Sequence, residues 1–65
     1  MKILVNGVWR DIAAADLISA LAELGYADAV IATALNGEFV SADSRASTHL
    51  ADGDRIEIVA PMQGG

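Results

Sequence analysis

Ile3-Leu4-Val5-Asn6-Gly7-Val8-Trp9-Arg10-Asp11-Ile12 sets the first pair of elements. Asn-Gly between two β-prone runs predicts a tight hairpin, because both residues tolerate the positive φ angles of a type I′ turn. Ile3 and Val5 share one face of the first arm. In the second arm Val8, Arg10 and Ile12 alternate with Trp9 and Asp11. The pattern then changes period. Leu17, Leu21 and Leu24, with Ile18 beside them, form an apolar stripe that predicts a helix over residues 17–24. Asp16 is placed to cap its first turn, and Gly25 suits the left-handed residue that stops a helix.

Further along, the apolar run 29–35 predicts a third strand. It ends at Asn36-Gly37, a second tight-turn signal, and Glu38-Phe39-Val40 follows as a short fourth strand. Residues 41–48 are polar and predict a loop with room for one short helical turn. Asp52-Gly53-Asp54 is another turn, and Arg55-Ile56-Glu57-Ile58-Val59 alternates as a last strand with Ile56 and Ile58 toward the core. Pro61, lacking an N–H, ends that strand.

The order is hairpin, helix, strand, short strand, strand. It predicts an α+β domain over residues 1–60, a mixed sheet of four to five strands with one helix packed across it. Residues 61–65 are expected to form a flexible C-terminal tail, since Gly64 and Gly65 have little conformational preference. By fold analogy this order is the β-grasp, or ubiquitin-like, architecture, which would lay the first and last strands parallel at the sheet centre.

Composition narrows the chemistry. Sixty-five residues make one domain, which buries only about 60% of the surface its unfolded chain exposes. A core that small leaves no room for a deep substrate cavity. The absence of cysteine excludes disulfides, thiolate catalysis and cysteine metal ligands, and fits a reducing compartment. The net charge is −5, and Lys2, Arg10, Arg45 and Arg55 are scattered, which argues against nucleic acid as a partner. The opening residues are too few and too interrupted for a signal peptide or a membrane span, so a cytoplasmic location is expected.

No side chains assemble into a catalytic set, so an enzyme is not expected. His49, the sole histidine, has no catalytic partner near it in sequence and is assigned to the surface. Asp52 and Asp54 lack the ligand spacing of a calcium loop and are assigned to the turn. No metal site is expected. Glu57 is placed on a solvated strand face, and Trp9 is expected to shield one face of the sheet. Leu4 and Val59 alternate with core positions on the two central strands. With Pro61, Met62 and Gln63 on the approach to the chain end, they are the candidate partner-binding surface, and Phe39 is a secondary candidate.

Three segments in order carry a family likeness: Met1-Lys2-Ile3-Leu4-Val5-Asn6-Gly7, Ala34-Leu35-Asn36-Gly37-Glu38-Phe39-Val40, and Leu50-Ala51-Asp52-Gly53-Asp54-Arg55-Ile56-Glu57-Ile58. With the final Gln63-Gly64-Gly65 they resemble the ThiS family of sulfur carriers of thiamin biosynthesis, part of the wider ThiS/MoaD group. The likeness covers essentially the whole chain. Arg45 departs from it, since many relatives carry tryptophan there, and this leaves the conformation of the surrounding loop open.

The resemblance implies that the protein is a co-substrate and binds no cofactor of its own. A ThiF-like adenylating enzyme would use ATP to adenylate the Gly65 carboxylate. A sulfur donor protein would then convert it to a thiocarboxylate, and a ThiG-like thiazole synthase would take the sulfur. The glycines have an independent physical rationale: a narrow channel that excludes water from an acyl-adenylate admits a backbone only where side chains are missing, so Gly64 and Gly65 suit threading. Three alternatives stay open on the sequence: the small subunit of molybdopterin synthase, a β-grasp module that binds only through its sheet, and a ubiquitin-like modifier joined to lysines.

Overall fold

The structure is a computed structural model that describes residues 1–61. Strands β1 (Lys2–Val5) and β2 (Val8–Asp11) form the opening hairpin. Helix α1 (Leu17–Glu23) follows, then β3 (Ala32–Leu35) and β4 (Glu38–Val40), a 3-10 helix over Ala42–Ser47, and β5 (Arg55–Val59). The sheet order is β2-β1-β5-β3-β4. β1 and β5 run parallel and every other pairing is antiparallel. The expected α+β, β-grasp architecture is the one observed.

Both Asn-Gly turns take the predicted conformation, with φ of 48° and 82° at Asn6 and Gly7, and 50° and 85° at Asn36 and Gly37. These are left-handed values at both central residues, which is what lets a two-residue loop match the twist of its strands. The asparagine side chains do more than permit the turn. Ile58 donates its N–H to Asn6 Oδ1 at 2.8 Å and accepts from Asn6 Nδ2 at 3.0 Å. At the other end of β5, Arg55 donates to Asn36 Oδ1 at 2.9 Å and accepts from the Asn36 N–H at 2.8 Å.

Helix α1 covers one face of the sheet. Leu17, Ala20 and Leu21 pack with Ile3, Val5, Ile12, Leu50, Ile56 and Ile58 in one buried cluster. Each leucine, isoleucine or valine in the cluster contributes about 1.5–3 kcal/mol on burial before the opposing chain entropy is counted. Asp16 caps the helix by accepting from the Ser19 N–H at 2.8 Å, and Gly25, at φ 97°, follows its last turn. At the helix C-terminus Glu23 accepts from the backbone N–H groups of Ala13 and Ala14, tying the segment before the helix to its end.

Two expectations are corrected. Ile18 is 43% exposed, because the helix has only two turns and its buried side is filled by Leu17, Ala20 and Leu21. The third strand begins at Ala32 rather than Ala29. Its pairing with β5 stops at Ala32↔Val59, so residues 29–31 have no partner strand, and Val30 is exposed.

Candidate functional site

Alternation on five strands divides the sheet into a covered face and an open one. Ile3, Val5, Ile56, Ile58 and Thr33 are buried beneath the helix. Leu4, Val59, Ala32, Ala34 and Phe39 occupy intervening positions and point the other way. Leu4 is half-buried between its neighbours. Val59 is 63% and Phe39 73% exposed.

Val59 is the hub of this open face. It shares one shallow depression with Leu4, whose rim carries Arg55 and Glu57. A second depression joins it to Phe39 across Ala32 and Ala34. A third joins it to Val30 and Pro61. Leu4 and Pro61 thus lie on the same face, each sharing a depression with Val59. Met62, Gln63, Gly64 and Gly65 lie outside the described residues.

Phe39 belongs to the surface as fully as Leu4. Its register opposite Ala34, set by the two-residue Asn36-Gly37 turn, puts a large ring against a small neighbour, and strand order then places both beside Val59. Val30 was not anticipated. The signal for it was present in the parity of the run 30–35, where Val30, Ala32 and Ala34 alternate with Ile31, Thr33 and Leu35. Trp9, opposite Leu4 on the edge strand, is 57% exposed.

The polar candidates take structural positions. His49 is exposed and bridges to Asp16 through the backbone. Asp52 accepts from the Lys2 N–H at 2.7 Å, and Asp54 from the Ala51 N–H at 2.8 Å, so both brace the turn at Gly53. Glu57 is exposed on the open face. The Asp16 carboxyl is held below its usual pKa of 3.8, first by the backbone bond from Ser19. Among the described residues no group of three or more histidine, aspartate or glutamate side chains is placed to hold a metal ion. No helix among them is long and apolar enough to cross a membrane.

Arg45 resolves the loop left open by the sequence. Its Nε donates to Thr33 Oγ1 at 3.1 Å and its Nη2 to the Ile31 carbonyl at 2.8 Å. The 3-10 segment is thereby tied to β3, with the guanidinium half-buried.

A model of the ThiS family matches residues 3–65. The chain belongs to the ThiS family. Its members are small protein sulfur carriers of thiamin biosynthesis, not catalysts in themselves. The fold agrees: the crystal structure of the thiamine biosynthesis protein ThiS from Geobacter metallireducens superposes with a TM-score of 0.83 at 30% identity, covering 100% of both chains. A solution structure of a thiamine biosynthesis protein from the same organism gives 0.79 at 30% identity, covering all of this chain and 88% of that one. A thiazole synthase from Paramagnetospirillum magneticum is 39% identical over 66 residues. That match takes in the whole of this chain but only 20% of the relative, so the chain spans about one fifth of that protein's length.

Proposed function

We propose that this chain carries sulfur as a thiocarboxylate on Gly65 and delivers it to thiazole formation. Membership of the ThiS family over residues 3–65 is the observation that carries this reading. The open apolar face centred on Val59, one depression of which reaches Pro61, supports it. A ThiF-like enzyme binds the face and receives the tail. A Gly65 carboxylate oxygen attacks the α-phosphorus of ATP, forming an acyl-adenylate as pyrophosphate leaves. Sulfur supplied by a donor protein at the oxidation level of sulfide then attacks the acyl carbon; the C–S bond forms, the C–O bond breaks, and AMP leaves.

The chain's own contribution is recognition and delivery. Holding the last residues in one backbone conformation within a partner costs about 1–2 kcal/mol per residue. Burial of Leu4, Val59 and Phe39 against a partner offsets that at about 25 cal/mol per Å² of apolar surface. A thiazole synthase is the proposed acceptor, supported by the relative of that name, which matches the whole of this chain within a much longer protein.

Growth tests this. In a host lacking its own ThiS-type carrier, this chain is expected to restore growth without added thiazole or thiamin. A chain with Gly65 deleted is expected to fail while accumulating to the same level. Equal rescue by both would remove Gly65 from the chemistry.

A further inference from the structure

We propose that Asn6 is a positioning residue for the reacting Gly65 carboxylate: its side-chain amide holds the end of β5, the strand from which the chain runs on to Gly65. This role rests on the sulfur-carrier reading. Its structural basis lies in the ladder.

β1 ends at Val5, and its last rung on β5 is Val5↔Ile56. Two residues further on, Ile58 has no strand beside it on that side. Backbone groups alternate in direction along a strand. Since the Ile56 carbonyl accepts from the Asn6 N–H at 3.0 Å, the Ile58 N–H and carbonyl face the same vacated edge. Asn6 occupies it. One amide donates and accepts there, to both backbone groups of Ile58, and stands in for the missing rung. On the opposite side Val59 pairs with Ala32. The strand is therefore gripped from both sides up to the residue before Ala60.

The residue type is informative. A position at φ 48° is satisfied by glycine, asparagine or aspartate, so the turn alone does not require an amide. Asparagine offers a donor and an acceptor together. Gly65 follows Ile58 by seven residues, a reach of at most about 25 Å when extended. Loosening the strand end so few residues before Gly65 spreads the directions from which the carboxylate approaches the α-phosphorus, and in-line attack is sensitive to such misalignment. Leu4 and Phe39 lie on other strands, and Val59 keeps its pairing with Ala32 on the far side, so the effect is expected on the turnover of the docked complex more than on docking.

The test uses Asn6→Gly, which keeps the turn and deletes the clamp, and Asn6→Asp, which keeps the acceptor and loses the donor. Amide exchange in the free protein reads the clamp. In Asn6→Gly the Ile58 N–H is expected to exchange about tenfold faster, while Glu57, whose backbone faces β3, changes less. Thiocarboxylate formation with a ThiF-like enzyme, ATP and sulfide reads the role. The expected result is a kcat lowered about tenfold with KM for the carrier unchanged, and Asn6→Asp intermediate in both assays. Faster Ile58 exchange with unchanged kcat in both variants would make the amide merely structural and overturn the proposal. So would unchanged exchange at Ile58. Wild-type chain that stays unconverted would instead sink the carrier reading, and this role with it; that outcome is distinct from failure of the clamp, where wild type and Asn6→Gly convert equally fast.

Discussion

Arg45 Nε donates to the Thr33 hydroxyl at 3.1 Å, and that hydroxyl donates onward to the Val40 carbonyl at 2.9 Å. The chain of bonds joins the 3-10 segment, β3 and the edge strand β4. Thr33 is buried, so its oxygen must be satisfied within the protein. Arg45 supplies the donor, and by also reaching the Ile31 carbonyl it steadies the segment that leads from Val30 into β3.

Replacing Arg45 by alanine removes two hydrogen bonds and is expected to destabilise the fold by about 1–3 kcal/mol. In a domain of this size, whose net stability is about 3–5 kcal/mol, urea unfolding would show a clearly lowered midpoint with an unchanged slope. A midpoint within error of wild type would mean that water replaces the guanidinium at no cost.

Val59→Asp places a charge at the hub of the open face, on a side chain already 63% exposed. Stability should change little, while affinity for the adenylating enzyme and for thiazole synthase falls about tenfold or more. Titration calorimetry against each partner measures this. Unchanged affinity in a folded variant would remove the open face from recognition.

Gly37→Ala tests the second turn. A Cβ there would meet only Arg55 Nη2 at 3.8 Å, an ordinary contact, so the cost comes from holding alanine at φ 85°. A loss of about 1–2 kcal/mol is expected, with much of it recovered in Gly37→Asn. Thermal unfolding of the pair distinguishes backbone strain from packing.

Asp16 links stability to acidity. Its folded-state pKa lies below 3.8 because the ionised carboxylate accepts the Ser19 N–H. As pH falls the unfolded chain therefore takes up the proton first. The contribution is full above about 3.8 and is lost as pH falls through the lower folded value. Asp16→Ala should be less stable than wild type near neutrality, and the gap in Tm should close on acidification through that range. A gap independent of pH would contradict the cap.

Much of the fold was legible because it rests on local chemistry. Asn6-Gly7 and Asn36-Gly37 specify their turns through backbone freedom, and the alternation in Arg55–Val59 specifies which residues are buried. The apolar run 29–35 was legible only in part: hydrophobicity does not reveal where a partner strand stops, and β5 supplies no rung beyond Val59↔Ala32. The same reason hid three side chains. Arg45 finds Thr33 across 12 positions, Asn6 finds Ile58 across 52, and Glu23 reaches back to Ala13 across 10. Such bonds follow from tertiary placement, and a polar residue in a loop or on a helix carries no sign of them. On the open face Leu4 and Val59 were legible from strand parity. The joining of Phe39 and Val30 to them required the order β1-β5-β3-β4.

Formation of the proposed thiocarboxylate on Gly65 is read from the intact mass of this chain after incubation with ATP, a sulfide source and a ThiF-like enzyme shown to charge its own carrier. The predicted result is a gain equal to exchange of one oxygen for one sulfur, absent without ATP and absent when Gly65 is deleted. An unchanged mass under those conditions, with the control carrier fully converted, would contradict the account.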